Sequence, residues 1–173
     1  MQHQRFAALT LGAWIMGSLF MIFVATQNFQ MADTLSTPSM HAALREMAGK
    51  LNQRFFVDWE RVELVLAVGF SALTWLGIRN GLLGVISLVP LTIVAVQSFA
   101  VTPRMLSLSA NLDNASAATE FARLHAMYGI SEVIKLVLLF ALALILLPNW
   151  RRRFSTAVQV QPVDYAHHGH IDR

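Results

Sequence analysis

The sequence predicts an all-α integral membrane protein, with four transmembrane helices in an antiparallel bundle and an amphipathic interfacial helix between spans 1 and 2. Three observations predict it. Hydrophobic residues make up 55% of the 173 residues and charged residues only 13%, against about a quarter charged in a soluble domain. Mean hydropathy is +0.52. Four runs nearly free of charge each approach the ~20 residues that a helix needs to cross hydrocarbon. The chain fits one membrane domain, residues 1–153, followed by a polar C-terminal tail, 154–173. It holds no cysteine, which excludes disulfides, thiolate metal sites, iron–sulfur clusters and cysteine nucleophiles. The net charge of +3 is spread over helix ends and tail. That pattern suits a membrane surface, so the expected partner is the lipid bilayer and not nucleic acid.

The first span covers about residues 6–25. Its apolar run is longer than the ~7–15 residues of a secretory signal core, and no small-x-small cleavage site follows it, so it reads as a retained helix. Ala8 and Gly12 form a small-xxx-small pair suited to close helix approach. Residues 27–36 are polar and turn-like. Thr37-Pro38 then opens a helix, with Thr37 as N-cap and Pro38 at the first position. Met40, Leu44, Met47, Leu51, Phe55, Trp59, Val62 and Leu66 follow at spacings of three and four, one apolar stripe. Arg45, Glu46, Lys50, Arg54 and Asp58 occupy other faces. These residues predict an interfacial amphipathic helix over about 38–61 that runs into, or elbows onto, a second span, about 62–78. Arg79-Asn80-Gly81 reads as a tight turn, with Gly81 closing the helix before it. The third span, about 82–101, contains Pro90, which removes a backbone bond and predicts a kink. Residues 105–119 read as a polar connector, with Ser116 or Thr119 capping the fourth span, about 121–147.

Four spans place both termini on one side. Arg5, Arg79, Arg151, Arg152 and Arg153 share that side, while Arg45, Lys50, Arg54, Arg61, Arg104 and Arg123 lie opposite. The totals nearly balance. The dense Arg151, Arg152 and Arg153 cluster and the short Arg79 turn then favour cytoplasmic termini in a bacterial inner membrane. Trp59, Trp75 and Trp150, with those three arginines, are the expected interface anchors.

Aligning the spans by depth brings Glu63, Gln97, Glu132 and Lys135 to one layer, about one to two turns inside the outer leaflet. Gln27 falls near it, and His125 and Tyr128 lie above, at its mouth. Glu132 and Lys135 are three apart and can pair on one helix. Glu63 can reach the same ammonium from the facing helix. Two carboxylates and one ammonium leave an acid in excess. A protonated carboxyl, one of His125, Arg61 or Arg123, or a bound cation must balance it. One reading is a structural interhelical clasp; the other is a proton or cation site. His167, His168 and His170 are a weak metal candidate in the tail. Met31, Met40 and Met47 carry thioethers suited to Cu(I), but Met40 and Met47 fall on the apolar stripe. One histidine near a span end does not make a haem site. No phosphate loop, Ser/His/Asp set, zincin motif or dinucleotide fingerprint occurs, so neither an enzyme nor a cofactor is expected.

The run FARLHAMYGISEVIKLVLLFALALILL resembles the last helix of the DUF4149/TMEM205-like membrane proteins. WIMGSLFMIFVATQNF, REMAGKLNQRFF and VTPRM extend the resemblance over most of the chain up to about Pro148. Phe121, Leu124 and His125 match its pattern, while Ala25-Thr26 stand where the family often has a proline. The resemblance implies a four-span protein without established chemistry, loosely associated with metal or metallodrug resistance. Two functions are therefore expected as alternatives. One is a non-catalytic accessory subunit of a larger membrane complex, with other subunits or a second copy as partner. The other is a small transporter or sensor of a proton or metal cation using Glu63, Glu132, Lys135 and His125.

Overall fold

A computed structural model describes residues 2–78 and 81–157, with side chains through residue 146. Helix α1 runs Gln2–Leu35, α2 His41–Ile78, α3 Gly81–Ser109 and α4 Ala115–Ala157. No strand occurs among the described residues. All four helices are long and apolar enough to cross a membrane. Each also exceeds what crossing requires: at 1.5 Å per residue, α2 with its 38 residues is about 57 Å long, against roughly 30 Å of hydrocarbon.

That excess length accounts for most departures from the sequence expectation. Residues 27–36 are not a turn, because α1 continues to Leu35. Thr26 and Thr34 each return a hydroxyl hydrogen bond to the carbonyl four residues back. Of the two arrangements expected for residues 38–61 and 62–78, the helix runs on without an elbow from His41 to Ile78, with neither proline nor glycine at the junction to break it. Thr37 starts it through its carbonyl, which accepts the Met40 and His41 amides at 2.9 and 3.0 Å. The expected connector over 105–119 shrinks to 110–114. Asn114 caps α4 instead of Ser116 or Thr119: its Oδ1 accepts the Ser116 amide at 2.9 Å, and its carbonyl accepts that of Ala118. Polar composition therefore does not mark where these helices end.

Gly81 opens α3 and does not close α2; Arg79 and Asn80 lie outside the described residues. Helix α3 runs on through the buried Pro90. Its departure from regular geometry comes later, as a wide π-helical turn over Gln97–Val101, and α2 has another over Leu73–Ile78. Such turns insert one residue into the helical ladder and re-aim the side chains that follow.

The core joins Ala7, Leu11 and Trp14 of α1 to Ala67 and Phe70 of α2, Leu83 and Val94 of α3, and Leu139 and Leu142 of α4. The expected close approach at Ala8 and Gly12 is not where the helices meet, since nothing lies within 4 Å of a Cβ placed on Gly12. The tight contact is at Gly17. A Cβ there would run into Cη2 of Trp59, whose ring lies across the glycine. Trp59, expected as an interface anchor, thus packs against α1. Trp75 is half exposed and lays its indole against Gly84.

The faces of α2 reverse the usual rule. Met40, Met47, Leu51, Phe55 and Val62 of the apolar stripe are 40–67% exposed. The buried face is the adjacent one: Ala48, Asn52, Glu60, Glu63, Ala67, Phe70, Ser71 and Thr74. In the apolar part of α2, side chains gain nothing by burial against lipid tails, so small and polar residues such as Ala67, Ser71 and Thr74 line the helix contacts.

Candidate functional site

Three tiers of polar contact join the helices inside the exposed ion pairs Asp33–Arg45 and Arg104–Glu120. At one end, Asn52 binds Asn28 at 2.6 Å and donates to the Ala25 carbonyl at 3.1 Å, tying α2 to α1. Near the other end, Thr74 Oγ1 and Ser87 Oγ lie 3.0 Å apart, and Ser71 donates to the Ser87 carbonyl, tying α2 to α3. Between them lies the layer with charge.

Lys135 is its centre and is fully buried. Its Nζ is 2.6 Å from Glu63 Oε1 and 2.5 Å from Glu132 Oε1, with Gln97 Oε1 at 3.5 Å. Glu63, also fully buried, takes two more donors on the same oxygen: Trp14 Nε1 at 2.7 Å and Ser18 Oγ at 3.0 Å, both from α1. Gln97 turns its amide to Ser131 Oγ at 2.7 Å, and Ser131 donates to the Tyr128 carbonyl. One ammonium therefore draws side chains of all four helices to a single point. The pairing of Glu132 and Lys135 follows from their three-residue spacing. Gln97 reaches the layer from the first residue of the wide turn in α3.

Four expected residues, Glu63, Gln97, Glu132 and Lys135, therefore come together. Others do not. Gln27 bonds Gln30 on its own helix. His125 is exposed and stacks on Phe121 with ring centroids 6.0 Å apart, making no hydrogen bond or ion pair with the layer. Arg61 pairs with the neighbouring Asp58. Tyr128 stands beside the layer, edge-to-face with Phe56 at a centroid separation of 6.2 Å, its hydroxyl buried near Glu60. The side chains of Trp150, Arg151, Arg152 and Arg153, and all of His167, His168 and His170, lie outside the described residues.

The sequence reading missed Trp14, Ser18, Glu60, Thr102 and Ser131. Glu60 is 5% exposed and accepts a 2.5 Å hydrogen bond from Thr102. Its signal was available, since it precedes Glu63 by three residues and so shares its face. Trp14 and Ser18, four apart, gave no signal, because neither residue type is unusual in a spanning helix. A groove of about 440 Å³ between α3 and α4, lined by Val96, Gln97, Met127, Tyr128 and Ser131 among others, runs past the layer. Its walls are mostly aliphatic. Among the described residues no group of three or more His, Asp or Glu side chains is arranged to hold a metal ion. No protein-family model matches this chain, and neither a curated protein nor a solved structure shows similarity to it.

Proposed function

We propose that this protein is a non-catalytic accessory subunit of a larger complex in a bacterial inner membrane, folded as an antiparallel bundle with both termini in the cytoplasm. The observation that carries the reading is the exposed apolar stripe at Met40, Met47, Leu51 and Phe55. It lies on the stretch of α2 that also bears Arg45, Glu46, Lys50, Arg54 and Asp58, where the helix is too charged to be within hydrocarbon. An apolar stripe left open on a charged, water-facing segment marks a contact surface. This stretch is the amphipathic element expected at the interface, and another subunit or the headgroup region covers its apolar side. The antiparallel arrangement is supported by pairings that run in opposite directions along neighbouring helices, Asn28 with Asn52 and Ser18 with Glu63. In this reading the charged layer is a clasp that fixes the register of the four helices. Kinship with the DUF4149/TMEM205-like proteins belongs to the same proposal and rests on Phe121, Leu124 and His125.

A second reading, a small transporter or sensor of a proton or metal cation, is favoured by the excess of acid over base in the layer. The deciding experiment is purification of the tagged protein from native membranes in mild detergent, with mass spectrometry of what co-elutes. A stoichiometric partner lost on Leu51→Asp and Phe55→Asp supports the subunit. Elution alone, with the protein folded, refutes it.

A further inference from the structure

We propose that the layer binds one exchangeable proton, held by its pair of carboxyls, Glu63 and Glu132. The inference concerns binding alone, and it holds whether or not the protein assembles with a partner or moves an ion.

The charge count comes first. Glu63, Glu132 and Lys135 are in mutual contact and together carry one negative charge when all are ionised. A buried net charge without a counter-ion is expensive, and the group takes up a proton instead. The neighbours do not supply the missing positive charge. Helix α1 brings Trp14 Nε1 and Ser18 Oγ, which are donors without charge. Helix α2 brings Glu60, a second acid within electrostatic reach of Glu63 and Lys135. Helix α3 brings Gln97 and Thr102, neither of which titrates. Helix α4 adds only Tyr128 to the Glu132 and Lys135 already counted. Arg61 turns to Asp58, and His125 is exposed.

The second observation is independent of the count. Oε1 of Glu63 receives three donors, whereas its Oε2 is buried with no hydrogen-bond partner at all. An ionised carboxylate spreads its charge over both oxygens and would leave half of it bare in a low-dielectric interior. A proton taken up by the carboxyl pair removes the net charge that this bare oxygen would otherwise share.

Geometry also selects the proton over a metal cation. The ammonium of Lys135 already occupies the point between the two carboxylates, 2.5 and 2.6 Å from their oxygens. A metal ion there would face a full positive charge at contact distance.

The test is infrared difference spectroscopy of the protein in liposomes, grown with isotope-labelled glutamate. It is performed in the Glu60→Gln background so that any protonated glutamate belongs to the layer. A glutamate carboxylic C=O band is expected at neutral pH, shifting in heavy water as the proton exchanges. Either Glu63→Gln or Glu132→Gln, added to that background, balances the charge of Lys135 and should abolish the band. Absence of the band in Glu60→Gln, a band that never shifts in heavy water, or a band that survives both glutamine changes would each overturn the proposal. Should the double variants fail to fold, the Glu60→Gln band and its heavy-water shift decide alone.

Discussion

Replacing Lys135 by methionine keeps the length and apolar stem of the side chain and deletes the one charge that the four helices converge on. At an effective dielectric of about 20, the 2.5 Å contact with Glu132 corresponds to an attraction of about 7 kcal/mol. Most of that is offset in the folded protein by the cost of taking Lys135 out of water. Removing one partner of a buried pair therefore costs about 3–5 kcal/mol, because the other charge is left without compensation. For a chain of this size each kcal/mol moves the melting temperature by roughly 2–4 °C, so Lys135→Met should lower it by about 10 °C. The assay is thermal unfolding in detergent followed by tryptophan fluorescence, to which Trp14, bonded to Glu63, reports from inside the layer. The charge-neutral double variant Lys135→Met/Glu132→Gln should melt closer to wild type than the single variant, since it leaves fewer unpaired carboxyls. A single variant within about 1 kcal/mol of wild type, or a double variant less stable than the single, would refute the clasp.

Three further outcomes are expected. Gly17→Ala pushes a methyl into the Trp59 ring and should destabilise by about 1–3 kcal/mol, while Gly12→Ala, with open space around it, leaves the melting temperature unchanged; equal effects would remove Gly17 from the contact. Trp14→Phe keeps most of the ring and loses the indole donor to Glu63, a cost of about 1.5–3 kcal/mol in the same melts. Asn52→Leu breaks the bonds to Asn28 and the Ala25 carbonyl, worth about 1 kcal/mol, and hydrogen exchange should speed up over residues 26–35 while the charged layer stays protected.

The sequence made the spans legible because hydropathy is a statement about solvent, and four long apolar runs have few other uses. It made the charged layer legible because Glu63, Gln97, Glu132 and Lys135 are costly in lipid and could be aligned by counting turns. What it hid follows from the same physics. Polarity at 27–36 and 105–119 reports water, which a helix tolerates as well as a loop does, so polarity alone does not mark a break. In the apolar part of α2 the informative face is the one with Ala67, Ser71 and Thr74, whose small and polar side chains look unremarkable one at a time. Trp14 was hidden for another reason: its indole donor matters only once Glu63 is known to be opposite.

The reversal on α2 has a practical meaning. Here the residues that hold the helices together and those that face outward are different sets with different chemistry. Val65, Leu76, Leu82, Val85, Phe99, Ile130, Val133, Val137 and Leu144 all point outward and make no part of the three polar tiers. Their side chains could be exchanged for charged ones, making the outside resemble a water-soluble bundle while the inside is left untouched. The interior contacts, being hydrogen bonds and close van der Waals approaches, do not need lipid to form. A soluble version of the chain is thus a matter of repainting one surface, and it would let the Glu63, Lys135 and Glu132 contacts be studied free of detergent.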